Sequence, residues 1–280
     1  MTIANAYLAG TRESWVLMDA GVRGNERRIR QAAEQRFGPG AKPRAILLTH
    51  GHFDHAGSAP GLADFWGVPV YAHRLEFPYL TGKTHYPPLD PTGPGFFSFL
   101  SRFFPSTTVN LGGRLAELAE QLLDWECIHA PGHTPGHVAF FRRGDGALIA
   151  GDAVTTMSLD SLLGALIKRP ELCRPPVPAT TNWQNAHESV RKLADLRPSL
   201  IAAGHGPPMR DAADQLRSLA DNFPIPSRGR YVADAVRADE NGIVYLPPKP
   251  PDPVGKIAAG VAIGLGIAGI AAAAISRRRK

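Results

Sequence analysis

Apolar residues occur in short runs punctuated by glycine, proline and small polar residues, and the period within the runs changes along the chain. Residues 3–8 and 14–18 read as two short strands, with Gly10-Thr11-Arg12-Glu13 between them as a hairpin-like opening. Asp19-Ala20-Gly21 closes the second strand. Asn25 stands as the cap of a helix whose apolar positions are Ile29, Ala33 and Phe37, and Gly38-Pro39-Gly40 stops it. Ala45-Ile46-Leu47-Leu48 is a further strand, 58–66 a short helix and 68–72 another strand. Such alternation of strand and helix predicts an α/β domain. Residues 115–123 read as helical, 124–129 as a strand, and 138–141 with 147–149 as a hairpin across Arg143-Gly144-Asp145-Gly146. A last apolar strand ends at Ala203, and 182–196 and 211–223 are amphipathic helices.

Composition narrows the class without naming a function. With 44% hydrophobic and 20% charged residues over 280 positions, the chain is an ordinary globular protein of one sizeable domain plus an appendage. Its 26 prolines and 29 glycines predict many loops. The net charge is +6, but Arg277, Arg278, Arg279 and Lys280 supply four of those charges. The remainder is close to neutral, which argues against a nucleic-acid partner. Two cysteines, Cys127 and Cys173, make no disulfide framework and fit a reducing compartment. The first residues lack the basic segment and apolar core of a secretory signal, so the expected location of the domain is cytoplasmic.

The chemistry concentrates in Thr49-His50-Gly51-His52-Phe53-Asp54-His55, directly after an apolar strand. In extended chain, alternate side chains share a face, so His50 and His52 can address one ion. Asp54 and His55 follow and can serve a second ion. Zinc and iron both accept imidazole nitrogen and carboxylate oxygen. Three further units repeat the design. Pro131-Gly132-His133-Thr134-Pro135-Gly136-His137 is a rigid turn presenting a histidine, Leu148-Ile149-Ala150-Gly151-Asp152 is a strand ending in a carboxylate, and Leu200-Ile201-Ala202-Ala203-Gly204-His205 is a strand ending in a histidine.

At these residues the chain resembles the metallo-β-lactamase superfamily, whose H-x-H-x-D-H signature is met by His50, His52, Asp54 and His55, with His133, Asp152 and His205 in the expected order. The resemblance covers roughly residues 1–222 and implies an α/β fold, a four-layer αββα sandwich. It also implies one ion on His50, His52 and His133, a second on Asp54, His55 and His205, Asp152 bridging them, and Asp19 as a supporting carboxylate behind the ligands. The cofactors it implies are two Zn2+ ions, with iron as the alternative. A water shared by two such ions ionises near neutral pH, because metal binding lowers its pKa from 15.7 to about 7. The bridging hydroxide then attacks an acyl carbonyl, with Asp54 and Asp152 as the catalytic carboxylates. The expected function is a dinuclear zinc hydrolase of an ester, thioester or lactone, similar to hydroxyacylglutathione hydrolase (glyoxalase II). A mononuclear-iron oxidoreductase resembling persulfide dioxygenase and a non-catalytic membrane-tethered binding protein are the alternatives. His137 is read as a structural hydrogen-bonding residue rather than a ligand.

The expected organisation is a catalytic domain over 1–223, an extension with a proline-rich spacer over 224–256, a transmembrane helix over 257–275 and a basic tail over 276–280. The uncharged run of about 19 residues would extend close to the ~30 Å hydrocarbon core. This predicts a single C-terminal membrane anchor with the catalytic domain on the cytoplasmic side. Gly260 and Gly264 form a G-x-x-x-G pair through which a homodimer would form. Within the domain, 74–113 is an insertion rich in proline, glycine and aromatics. Phe96, Phe99, Leu100 and Phe103 share one face at helical spacing, opposite Ser98, Ser101 and Arg102. That face reads as core, as a lid over the site, or as an interfacial surface. The last option predicts a bias toward lipophilic acyl substrates.

Overall fold

The computed structural model describes residues 4–104, 109–119, 121–160, 167 and 169–251. Strands β1 (Tyr7–Gly10), β2 (Trp15–Met18), β3 (Ile46–Leu47), β4 (Val70–Ala72) and β5 (Leu115–Glu117) form one sheet in sequence order. β1 and β2 are the antiparallel hairpin expected from the sequence, and β2 through β5 run parallel. Strands β6 (Gln121–Leu122), β7 (Trp125–His129), β8 (Val138–Arg142), β9 (Ala147–Gly151), β10 (Leu200–Ala203) and β11 (Met209–Arg210) form the second, in the order β11-β10-β9-β8-β7-β6. β9 and β10 are its parallel pair.

Strand alternation explains the layers. Trp15 and Leu17 of β2 pack outward under α1 (Glu26–Phe37) and α3 (Ala59–Trp66), with Ile29, Ala33, Phe37, Leu62 and Trp66. Val16 and Met18 of the same strand pack inward against Val138, Phe140, Ile149 and Ala202 of the other sheet. The outer face of that sheet, Phe141, Leu148, Ala150 and Ile201, is covered by Val190 and Leu193 of α6 (Trp183–Asp195) and Leu216 of α7 (Ala213–Asp221). Strands buried on both faces carry continuous apolar runs, as β2, β8 and β9 do. The result is an α/β sandwich of two sheets between two helical layers. Its short helices α2 (Phe53–Ala56), α4 (Phe77–Leu80) and α5 (Phe96–Leu100) lie in the segments after β3 and β4.

Several expectations are corrected. Residues 115–119 and 121–123 are not helical: β5 pairs with β4, and the Leu118 amide donates to the Ala72 carbonyl. The open edge of β4 offers that backbone a complete set of partners, and tertiary pairing overrides local propensity. Asn25 holds the cap position of α1, but its side chain makes no capping bond; its amide instead donates to Ser58 Oγ. In the insertion, α5 tightens into a 3-10 turn over Ser101–Phe103. Ser98 and Ser101 are buried there, while Phe99 and Phe103 are 44% and 71% exposed, so the core reading of that face does not hold for these two.

The catalytic unit also reaches beyond residue 223. Its contacts run to Pro247, and a hairpin of β12 (Arg237–Asp239) and β13 (Gly242–Tyr245) closes it. The extension is tied down by the Arg230 amide on Asp90, the Tyr231 hydroxyl on the Pro88 carbonyl and the Val236 amide on the Thr181 carbonyl. The membrane-anchored localisation expected from the sequence is corrected as well. No helix among the described residues is long and apolar enough to cross a membrane. The longest, α6 with 13 residues, spans about 20 Å against a hydrocarbon core of ~30 Å. The 257–275 segment, with its G-x-x-x-G pair, lies outside the described residues.

Candidate metal centre

The expected ligands lie at the carboxyl ends of parallel strands, where open α/β sheets place their binding crevices. Asp19 follows β2, His50 to His55 follow β3, Asp152 follows β9 and His205 follows β10; His133 comes from the turn before β8. All seven expected ligands come together. Ligand atoms of His50, His52 and His133 lie within 4.8 Å of one another, as do those of Asp54, His55 and His205. His50, His55 and Asp152 form a third such group between them.

Within the first triad, His52 Nδ1 is 3.0 Å from His50 Nε2 and 3.0 Å from His133 Nε2. Asp152 faces both triads. Its Oδ2 is 3.5 Å from His133 Nε2 and 3.2 Å from His205 Nε2, and its Oδ1 is 3.5 Å from His55 Nε2. Asp54 Oδ2 is 3.6 Å from His205 Nε2 and 3.9 Å from His55 Nε2.

The groups behind the imidazoles decide which nitrogen faces inward. Asp19 accepts from the Thr49 amide and hydroxyl, each at 2.8 Å, and from His55 Nδ1 at 2.9 Å. A carboxylate only accepts here, so His55 carries a proton on Nδ1 and turns Nε2 inward. The Thr49 hydroxyl, its own proton committed to Asp19, accepts from His50 Nδ1 at 3.0 Å. The Thr180 hydroxyl donates to the Pro176 carbonyl and accepts from His133 Nδ1 at 3.4 Å. His50 and His133 therefore also turn Nε2 inward. His137 is no member of the triads: its Nδ1 donates to the Ala130 carbonyl at 3.1 Å, and its Nε2 accepts from the Asp152 amide at 2.9 Å. It places the Asp152 backbone, as the sequence reading of a structural hydrogen bond expects. Asp19 itself adopts φ of 57°, a left-handed conformation that Asp tolerates better than most residues.

Burial sets the charge states. It drives His50 and His133 well below the ordinary imidazole range and His52 down to about 4, so all three present neutral nitrogens. Burial also opposes charge on His55 and His205, but Asp152 and Asp54 outweigh it and hold both above the ordinary value. Burial opposes the Asp152 carboxylate too, yet His205 and His55 keep it well below the usual range.

A metal pair fits this arrangement on evidence from the donors themselves. His55 Nε2 and Asp152 Oδ1 are buried and have no hydrogen-bond partner, although both point into the cluster. A Cβ on Gly204 would come within 2.5 Å of His55 Cε1 and closer still to Asp152 Oδ1, so the chain keeps the smallest residue where the cluster needs room. A single proton on His52 Nδ1 can serve only one of its two neighbours, His50 Nε2 or His133 Nε2, well, whereas a cation can take the lone pairs of all three rings.

Sequence reading missed Glu76. It is fully buried and accepts from the Gly51 amide, the Thr134 hydroxyl, the Gly136 amide and the Tyr86 hydroxyl. Burial raises its pKa, and the four donors oppose that rise. The signal available was a lone carboxylate flanked by Leu75 and Phe77 at the start of the insertion. Tyr86, one of the aromatics of the insertion, packs its ring 4.5 Å from that of His52. His85, the histidine of the insertion, is exposed.

Comparison with known proteins agrees with this geometry. The model of the metallo-beta-lactamase superfamily matches residues 2–205. The probable metallo-hydrolase YflN of Bacillus subtilis (strain 168) is 42% identical over 232 residues, 79% of this chain and 88% of that protein. The hydroxyacylglutathione hydrolase GloC of Haemophilus influenzae is 30% identical over 113 residues, 40% of this chain and 50% of that protein. Among solved structures, TTHA1623 in a di-iron-bound form aligns with a TM-score of 0.56 and 27% identity, over 80% of this chain and 98% of that one. The chain belongs to the metallo-beta-lactamase superfamily and is one of its metallo-hydrolases.

Proposed function

We propose that the protein is a dinuclear metal hydrolase that cleaves the acyl bond of a small ester, thioester or lactone. The observation that carries this reading is Asp152, whose two oxygens face both triads and whose buried Oδ1 makes no hydrogen bond among the described residues, with the His55 ring 3.5 Å away. His50, His52 and His133 would hold one ion, Asp54, His55 and His205 the other, with Asp152 between them. When bound, such a pair supplies Lewis acidity and brings the ionisation of water to near neutral pH. Zinc is the ion proposed, since nitrogen and carboxylate donors with an open position suit it. Iron suits the same donors, and TTHA1623 holds two iron ions.

The protein's own groups then have distinct tasks. Asp54 is the most exposed carboxylate of the cluster, its side chain 12% accessible. From there it orients the attacking water and takes its proton. His137 fixes the Asp152 backbone, while Asp19, Thr49 and Thr180 fix the tautomers and ring directions of His55, His50 and His133. Tyr86 forms a wall beside His52. Its hydroxyl donates to Glu76 and accepts from the Gly51 amide, which commits its proton away from substrate.

The test is elemental analysis of purified protein together with a panel of thioesters, esters and lactones, assayed before chelation, after it, and after return of Zn2+ or Fe2+. Two ions per chain and hydrolysis that vanishes and returns with metal are expected. A protein holding a single iron that oxidises a persulfide and hydrolyses none of the panel would overturn the proposal.

A further inference from the structure

The first triad is built by two loops from different sheets: His50 and His52 follow β3, and His133 precedes β8. Glu76 joins these loops. Its Oε2 accepts from the Gly51 amide, between His50 and His52, at 3.0 Å, and from the Tyr86 hydroxyl. Its Oε1 accepts from the Thr134 hydroxyl and the Gly136 amide, both at 2.8 Å, immediately after His133. None of the four donors is a cation, and the carboxylate is fully buried. A group so placed has to satisfy every donor or leave it stranded.

The geometry points to Glu76 as a positioning residue for the His50–His52–His133 triad, setting the separation of the two loops that supply it. This rests on reading that triad as a metal site. Only a carboxylate meets the demand. In a glutamine, whichever way the amide is turned, its NH2 faces a backbone N–H, of Gly51 or of Gly136, that cannot turn round to accept. The second triad is held by other means. Asp19 orients His55, and Asn5 Nδ2 donates to the Ala203 and Gly206 carbonyls on either side of His205. Glu76 therefore acts on one ion and not on both.

The experiment measures the dissociation constants of both ions in full-length wild type, Glu76→Gln and Glu76→Ala by competition with a chromophoric chelator. The Co2+ absorption spectrum of each variant is recorded beside that of His133→Ala, which marks loss of the first triad. Residues that support metal ligands contribute about 10- to 100-fold in affinity. The expected result is a loss of at least about tenfold for one ion, with the His133→Ala-like spectrum, while the other changes by less than about threefold. Alanine should cost more than glutamine. Equal weakening of both ions, or no change in either, overturns the inference. Should the Glu76 variants fail to fold, Thr134→Val removes one donor and is expected to shift the same ion in the same direction; an unchanged affinity ratio overturns the inference there too. Wild-type protein that binds no ion would instead overturn the metal-centre reading.

Discussion

Gly204→Ala tests the metal centre from outside its ligand set. Gly204 does not adopt a left-handed backbone conformation, so alanine meets no strain in the main chain. Its amide donates to the Gly151 carbonyl at 2.7 Å and its carbonyl accepts from the Asn5 amide at 2.8 Å, and both bonds survive the change. The added methyl, however, would lie 2.5 Å from His55 Cε1 and nearer still to Asp152 Oδ1. Non-bonded carbons sit at about 3.5–4.0 Å, so the ring or the chain has to retreat by about 1 Å. Misplacement of that size costs about 100-fold in catalysis, and overpacking adds about 1–3 kcal/mol of destabilisation. For a domain of this size that lowers Tm by about 2–12 °C.

The assay pairs metal content with kcat/KM on the best substrate of the panel. Gly204→Ala should lose most of one ion and fall about 100-fold in kcat/KM, while Gly113→Ala, whose added methyl meets nothing within 4 Å, serves as the control. A Gly204→Ala protein that keeps both ions and stays within about threefold of wild type would refute the reasoning, because the clash follows from the cluster geometry alone.

Other perturbations separate the remaining roles. Asp152→Ala should abolish most activity and release one ion, measured by elemental analysis after gel filtration; full activity would remove the bridging assignment. Asp19→Asn keeps a residue that tolerates φ of 57° but sets an amide beside His55 Nδ1. Affinity for the ion on His55 should fall about 10- to 100-fold, and an unchanged dissociation constant would show that Asp19 only shapes the turn. The stacked rings of His73 and His129, 4.3 Å apart, supply a pH test away from the ligands. Burial lowers both, His73 to about 4. The unfolded chain therefore takes up these protons first, and the stability from the neutral pair is lost as pH falls below about 6.5 toward 4. Each group contributes at most about 1.4 kcal/mol per pH unit, less for its exposed part. Thermal melts of the metal-loaded protein at pH 7 and 5 should show a smaller acid loss for His73→Gln than for wild type, and equal losses would exclude the pair.

The candidate ligands that the fold brings together were legible in the sequence because most of them stand at a fixed offset from a strand end. His50 to His55 follow Leu48, Asp152 follows Gly151, and His205 follows Gly204, so the fold that aligns the strands aligns the ligands. Most strands were legible because apolar runs such as Trp15 to Met18 feed two cores at once, whereas their division into two sheets came from the family resemblance. The misreadings have a common physical form. Leu115, Leu118 and Leu122 repeat at helical spacing, but a sheet edge captured the first of them. The aromatic stripe of 95–104 presumed a uniform helix, whereas the turn tightens at Ser101. The hydroxyls of Ser98 and Ser101 satisfy themselves on the Pro94 and Ser98 carbonyls, which lets those side chains face inward, and Arg102 lies over Phe99 at 4.7 Å on the outer side. Glu76 carries no local pattern. Its partners lie at Gly51, Tyr86, Thr134 and Gly136, so only the folded chain shows its purpose.

Charge balance at the centre leads to a further measurement. Three carboxylates, Asp19, Asp54 and Asp152, converge here, and their side-chain partners are imidazoles and one threonine. Buried charge is costly unless compensated. His50, His52 and His133 do not compensate, because burial keeps them neutral. In the metal-free protein that task falls to His55 and His205: burial resists their protonation, but Asp152 and Asp54 prevail and raise both above the ordinary imidazole value. The protons so favoured sit on His55 Nε2 and His205 Nε2, which face Asp152 and Asp54, so an arriving metal has to displace them. Calorimetric titration with Zn2+ in two buffers of different ionisation enthalpy should show net proton release, about one to two per chain. Apparent affinity should rise about tenfold per pH unit for each proton released, and level off once the pH exceeds the raised values. Metal uptake without proton release at pH 7 would mean that these imidazoles are already neutral, and that something other than their protons balances Asp152.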